Sequence, residues 1–126
     1  METETIRPET GSRRRLAVIA TLMALALTAG AVFLFLRPVP DPGPPVTGVT
    51  EVAVRDDLFA PAAIAVPVGT TVTWLWEGED DHNVVGAAFE SPTQATGEFA
   101  YEFAAPGAYD YRCTLHRSMT GRVVVN

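Results

Sequence analysis

The sequence predicts an all-β domain of about 80 residues, a small sandwich or barrel, set behind one transmembrane helix and a proline-rich linker. Three observations lead there. Leu16 to Leu36 run for 21 residues without a charge. Five prolines fall within residues 37–46. From residue 47 onward, short β-branched or aromatic runs alternate with turn formers, and no stretch carries a convincing 3.6-residue apolar period.

Residues 1–15 form a polar tail that ends in Arg13-Arg14-Arg15. As a helix, residues 16–36 would cover about 31 Å, the thickness of a bilayer's hydrocarbon core. An apolar stretch with no polar face has no solvent side, so a helix buried in a soluble core does not fit. The arginine triplet keeps the tail in the cytoplasm. Everything beyond residue 36 is therefore expected on the extracytoplasmic side, periplasmic or extracellular. A cleaved signal peptide is the alternative, since Ala29-Gly30-Ala31 offers small residues at cleavage spacing. Cleavage there would leave Val32-Phe33-Leu34-Phe35-Leu36 as a greasy new N-terminus, so an uncleaved single-pass anchor is the expectation. In residues 37–46 proline fixes φ and favours an extended polyproline spacer of about 30 Å.

Within residues 47–126 the expected strands are Val52-Ala53-Val54, Ile64-Ala65-Val66, Thr71 to Trp76, Phe99 to Phe103, Tyr109 to Cys113 and Arg122 to Val125. Pro67, Gly69, Gly78, Gly86, Gly97, Pro106-Gly107 and Gly121 punctuate them. Side chains alternate along a strand, so Tyr109, Tyr111 and Cys113 share one face while Asp110 and Arg112 share the other. The aromatic face must be the buried one. Cys113 is thereby expected at the rim of the core. Trp74 and Trp76 share a strand face and are read as core, not as an electron relay.

Charge removes several function classes. Residues 47–126 carry four arginines against eleven carboxylates, a net charge of −7, and the chain has no lysine. Nucleic-acid binding depends on neutralising phosphates, so it is excluded. A single cysteine rules out an internal disulfide framework and leaves a thiol that something must protect in an exported domain.

That cysteine has company. Outside the N-terminal tail and apolar segment the chain contains one cysteine, two histidines and one methionine: Cys113, His82, His116 and Met119. Two imidazoles, a thiolate and a weak thioether are the donor set of an electron-transfer copper site. Cys113, His116 and Met119 follow the spacing C-x2-H-x2-M, a loop tight enough to wrap three donors around one point. His82 lies 31 residues upstream of Cys113 and must arrive from another strand or loop, so only the folded domain can complete the site. Zinc is the chemical rival, but a structural zinc site uses four strong donors and a thioether is a poor one. Catalytic multicopper sites consume more histidines than the chain has, which excludes an enzyme of that kind.

Three segments now carry a family resemblance. They are F59-A-P-A-A-I-A-V-P-V-G69-T-T-V-T-W74, H82-N-V, and G107-A-Y-D-Y-R-C-T-L-H-R-S-M-T-G-R-V-V-V125. Across nearly all of residues 49–126 the chain resembles the cupredoxins, small blue copper proteins, and most of all the amicyanin type, with plastocyanin and pseudoazurin as wider relatives. The resemblance implies a Greek-key β-sandwich or barrel and one type 1 copper ion. It implies His82, Cys113 and His116 as strong ligands and Met119 as the weak axial one. It also implies hydrogen bonds from Asn83 and Thr114 that tie the two ligand-bearing segments together.

Where the family usually has proline in the ligand loop, Leu115 stands here. Its backbone N–H adds a donor near the thiolate, expected to favour the reduced ion. Asp80-Asp81, just before His82, would pull the potential the other way. The expected function is a membrane-tethered carrier of single electrons that cycles Cu(I) and Cu(II), with His116 and Leu115 forming the electron-transfer surface. A copper chaperone or store that delivers the metal to an oxidase is the alternative. The expected partners are redox proteins, such as a basic cytochrome, an oxidase or a dehydrogenase, met by a monomeric soluble domain. Glu77, Glu79, Asp80 and Asp81 read either as a solvated loop or as a docking patch for such a partner.

Overall fold

The computed structural model describes residues 15–23 and 38–126, which fall into two compact units, Met1–Pro38 and Val39–Asn126. In the first, residues 15–23 are helical, and Leu16, Val18, Ile19, Leu22 and Met23 are all exposed. The tail through residue 14 and the rest of the apolar stretch, residues 24–37, lie outside the described residues. No helix among the described residues is long and apolar enough to cross a membrane.

The second unit is a β-sandwich of nine strands: β1 Val46–Thr47, β2 Glu51–Arg55, β3 Leu58–Ala60, β4 Ala63–Val66, β5 Thr71–Trp76, β6 Val85–Gly86, β7 Gly97–Glu102, β8 Gly107–Arg112 and β9 Thr120–Val125. One sheet runs β1-β4-β9-β8-β6 and the other β3-β2-β5-β7. The pairs β1/β4, β4/β9 and β2/β5 are parallel, and the remaining neighbours are antiparallel.

Period-two patterning explains which face each strand turns inward. In β2, Val52 and Val54 are buried between exposed or half-buried neighbours, and in β5 the same holds for Val72, Trp74 and Trp76. Strand β9 adds Val123 and Val125 from the opposite sheet. Trp74 is the hub. Its ring lies 5.4 Å from Phe89 and 5.4 Å from Tyr111, the latter edge-on at 85°. Both expected core tryptophans are therefore core. Burial of this order is worth roughly 3–5 kcal/mol for a single tryptophan truncated to alanine.

Three strands escape the sequence reading. β1 and β6 are two-residue edge strands, too short to show alternation. β3 follows β2 after only Asp56 and Asp57, because Arg55 pairs with Leu58. That two-residue turn carries no glycine, the usual signal of a tight hairpin.

Part of the segment read as an extended proline-rich spacer contacts the strands. Proline lacks an N–H, yet its carbonyl still accepts, and Pro40 O takes a 3.0 Å hydrogen bond from Thr120 Oγ1. Six residues further on, Val46 and Thr47 join the sheet alongside Ile64 and Ala65. Residues 39–46 thus pack within the same compact unit as the strands.

Candidate metal centre

Strand ends decide where the donors meet. β2 and β5 run parallel and in register, with Val54 opposite Trp76, so the turn after β2 and the loop after β5 leave the sandwich side by side. β8 ends at Arg112, which pairs with both Val85 and Thr120. The segment after β5 brings His82, and the segment after β8 brings Cys113, His116 and Met119, to this same pole.

His82 is pinned through its backbone. Its N–H donates to Gln94 O and its carbonyl accepts from Gln94 N, both at 3.0 Å. Trp76 Nε1 adds a 3.2 Å bond to the His82 carbonyl. A core tryptophan thereby helps to fix the segment that carries the imidazole, which is itself completely buried.

The loop after β8 closes on itself. Cys113 N donates to Met119 O at 3.0 Å, and Met119 N donates to His116 O at 3.1 Å. Tyr111 and Cys113 point inward as strand parity requires, while Asp110 and Arg112 are exposed. Burial pushes the Tyr111 phenol up, above its ordinary range, so it stays neutral. The Met119 side chain is buried, and Leu115 stands half exposed on the loop.

Two hydrogen bonds through the Asn83 side-chain amide join the segments. Asn83 Oδ1 accepts from Thr114 N at 2.8 Å, and Asn83 Nδ2 donates to Thr114 Oγ1 at 2.8 Å. A weaker 3.3 Å bond runs from Asn83 Nδ2 to Thr93 Oγ1. Asn83 is buried, so water cannot replace these partners without cost.

The result is a convergence of three donors. Cys113 Sγ lies 3.8 Å from His82 Nδ1 and 3.8 Å from His116 Nδ1, and all three atoms fall within 4.8 Å of one another. A first-row ion about 2.0–2.3 Å from each donor would hold them about 3.5–4 Å apart, so the spacing fits a single ion. The donor chemistry fits too: one soft sulfur and two imidazole nitrogens suit copper. His82 and Cys113 are buried, and the His116 side chain keeps 30% of its surface open.

Sequence reasoning missed two residues here. Asp56 Oδ1 sits 3.3 Å from His82 Nε2, and Asp57 Oδ1 sits 3.5 Å from His116 Nε2. A carboxylate can only accept, so Nε2 of His82 carries the proton and Nδ1 is left as a free donor toward the metal position. The backbone N–H of Asp80 holds the Asp56 carboxyl below the usual carboxylate range, helped by His82 and by the Glu79 N–H. Eleven acids crowd this small domain, and nothing in their spacing marks residues 56 and 57.

A small β-sandwich that gathers a buried thiol and two imidazoles at one pole defines a mononuclear copper protein of the cupredoxin class. The family described as copper binding proteins, plastocyanin/azurin family, matches residues 47–126. Amicyanin-alpha of Methylorubrum extorquens is 33% identical over 120 residues, covering 89% of this chain and 98% of that protein. Amicyanin of Paracoccus denitrificans is 41% identical over 86 residues, covering 62% of this chain and 66% of that protein. The solved structure of a purple cupredoxin from Nitrosopumilus maritimus has a TM-score of 0.58 at 27% identity, covering 62% of this chain and all of that one. The chain belongs to the plastocyanin/azurin family of copper-binding proteins and is amicyanin-like within it. It is an electron carrier with one type 1 copper as its cofactor, and not an enzyme.

Proposed function

We propose that this chain is a membrane-tethered one-electron carrier whose copper is held by His82, Cys113 and His116, with Met119 as a weak axial ligand. The convergence of Cys113 Sγ with both Nδ1 atoms at 3.8 Å carries this reading. Copper supplies the one-electron step, and the chain's own residues supply everything around it. His82 and Cys113 are shut away from water, which protects the thiol from oxidation and keeps the donors in place. The Asn83–Thr114 bonds lock the upstream ligand segment to the downstream loop, so neither can move alone. Donors held this firmly need little rearrangement when the ion changes charge, which favours fast transfer.

His116 is the exit. Its ring is the open edge of an otherwise buried set, and the exposed Leu115 next to it offers an apolar contact for a partner. Redox proteins are the partner class, with a basic cytochrome, oxidase or dehydrogenase suited to the net charge of −7 on residues 47–126. Residues 16–36 serve as the membrane anchor and hold the domain on the extracytoplasmic face. Buried donors also argue against a chaperone, because rapid hand-off needs exposed, exchangeable ligands.

The test is optical. The full chain loaded with Cu(II) is expected to turn intensely blue from thiolate-to-copper charge transfer, and Cys113→Ala is expected to be colourless. A folded wild-type protein that stays pale with copper added would remove the assignment.

A further inference from the structure

We propose that the two-residue β2–β3 turn, Asp56-Asp57, is a positioning device for the metal centre: its carboxylates face the outer ring nitrogens of His82 and His116, Asp56 by a hydrogen bond and Asp57 by charge, and bias the ion toward Cu(II). This rests on the assignment of both histidines as copper ligands, but it adds residues from a third segment of the chain. The geometry is specific. One turn places Oδ1 of Asp56 at 3.3 Å from His82 Nε2 and Oδ1 of Asp57 at 3.5 Å from His116 Nε2.

Asp56 is built into place. Its carboxylate also accepts from Glu79 N at 3.0 and 3.3 Å and from Asp80 N at 3.1 Å, so its orientation is fixed by the neighbouring loop. Gly78 leaves the room for this. A Cβ there would collide with Asp56 Oδ1 and come within 2.9 Å of the Asp56 backbone nitrogen. Asp57 holds its position at a conformational cost. Its φ is 64°, the left-handed region where glycine would be easier, and no other described non-glycine residue has a positive φ. The nearby Glu77 is engaged by Arg55 at 3.0 Å, which leaves the turn's own carboxylates to face the imidazoles.

The chemistry follows from charge. Asp56 accepts the Nε2–H of His82 and so makes that imidazole a stronger donor, while Asp57 acts through its charge, and both place negative charge beside the site. Both effects stabilise the more highly charged ion. The two positions differ in exposure, with Asp56 44% and Asp57 70% exposed. Asp56 faces a fully buried ring and should act in any salt. Asp57 faces the open edge of His116, where mobile ions screen it.

The experiment is a redox titration of the copper-loaded full chain, followed at the charge-transfer band, for wild type, D56N, D57N and G78A. Asparagine keeps the shape and the acceptor oxygen but removes the charge. D56N is expected to shift the Cu(II)/Cu(I) balance roughly three- to tenfold toward Cu(I), where tenfold is 59 mV for a one-electron couple. G78A is expected to move it the same way by displacing Asp56. D57N should give a smaller shift that fades at about 1 M salt. In the Cu(I) protein, the His82 Nε2–H signal seen by nitrogen NMR should exchange with solvent faster in D56N than in wild type. Blue D56N and D57N proteins with unchanged potentials overturn this proposal and leave the ligand assignment standing. A colourless wild type overturns both. Should D56N fail to fold, D57N decides, since its exposed side chain is not part of the core.

Discussion

Asn83 shows how one buried amide can hold a metal centre together. It sits next to His82 in sequence and bonds Thr114, next to Cys113, twice at 2.8 Å. Replacing it with alanine would remove both of these part-buried bonds and leave the exposed Thr114 to water, at a net cost of about 0.5–1.5 kcal/mol per bond. Urea denaturation of Asn83→Ala, metal-free and copper-loaded, is expected to show that loss in both forms. A loss confined to the copper-loaded form would mean the bonds matter only for the ligands. At this scale legibility depended on spacing. Cys113, His116 and Met119 lie within seven residues and declare themselves. His82 was readable because the chain offers just one other histidine. Asp56 was not, because it lies 26 residues from His82 and acids are common throughout the domain.

At the scale of strands, β8 and β9 carry a fit that neither states alone. Gly121 in β9 pairs with Tyr111 in β8. A Cβ at Gly121 would overlap the Tyr111 ring, which is buried against Trp74 and cannot swing away. Gly121→Ala is expected to destabilise the domain by about 1–3 kcal/mol through overpacking. An unchanged denaturation midpoint would show that the ring has somewhere to go. In the sequence Gly121 reads as a turn former, yet it lies inside a strand. The reason is that glycine's lack of a side chain serves both uses, and only the partner strand tells them apart. The long strands were readable because their valines and aromatics alternate. β1, β3 and β6 were not, because two or three residues cannot display a period.

For the whole molecule, the acidic balance sets how it meets others. A charge of −7 over residues 47–126, with acids clustered near His82, should draw a basic redox partner from a distance. Electron transfer to such a partner is expected to slow severalfold between low salt and about 0.15 M, as the screening length falls from about 30 Å to 8 Å. Stopped-flow rates that ignore ionic strength would argue for docking through the apolar surface at Leu115 alone.

What the chain's order of residues determined was the kind of chemistry. One thiol, two imidazoles and a thioether, with no other soft donor in the domain, leave copper as the ion they suit. Alternating apolar residues likewise determined an all-β sandwich. Tertiary structure decided the rest. Parallel pairing of β2 with β5 delivered the Asp56-Asp57 turn and the His82 segment to one pole, and residues 39–46 of the stretch read as an extended spacer fall within the same compact unit as the strands. Hydrogen bonds and ion contacts between distant segments depend on which strand ends lie side by side, and no local pattern encodes that.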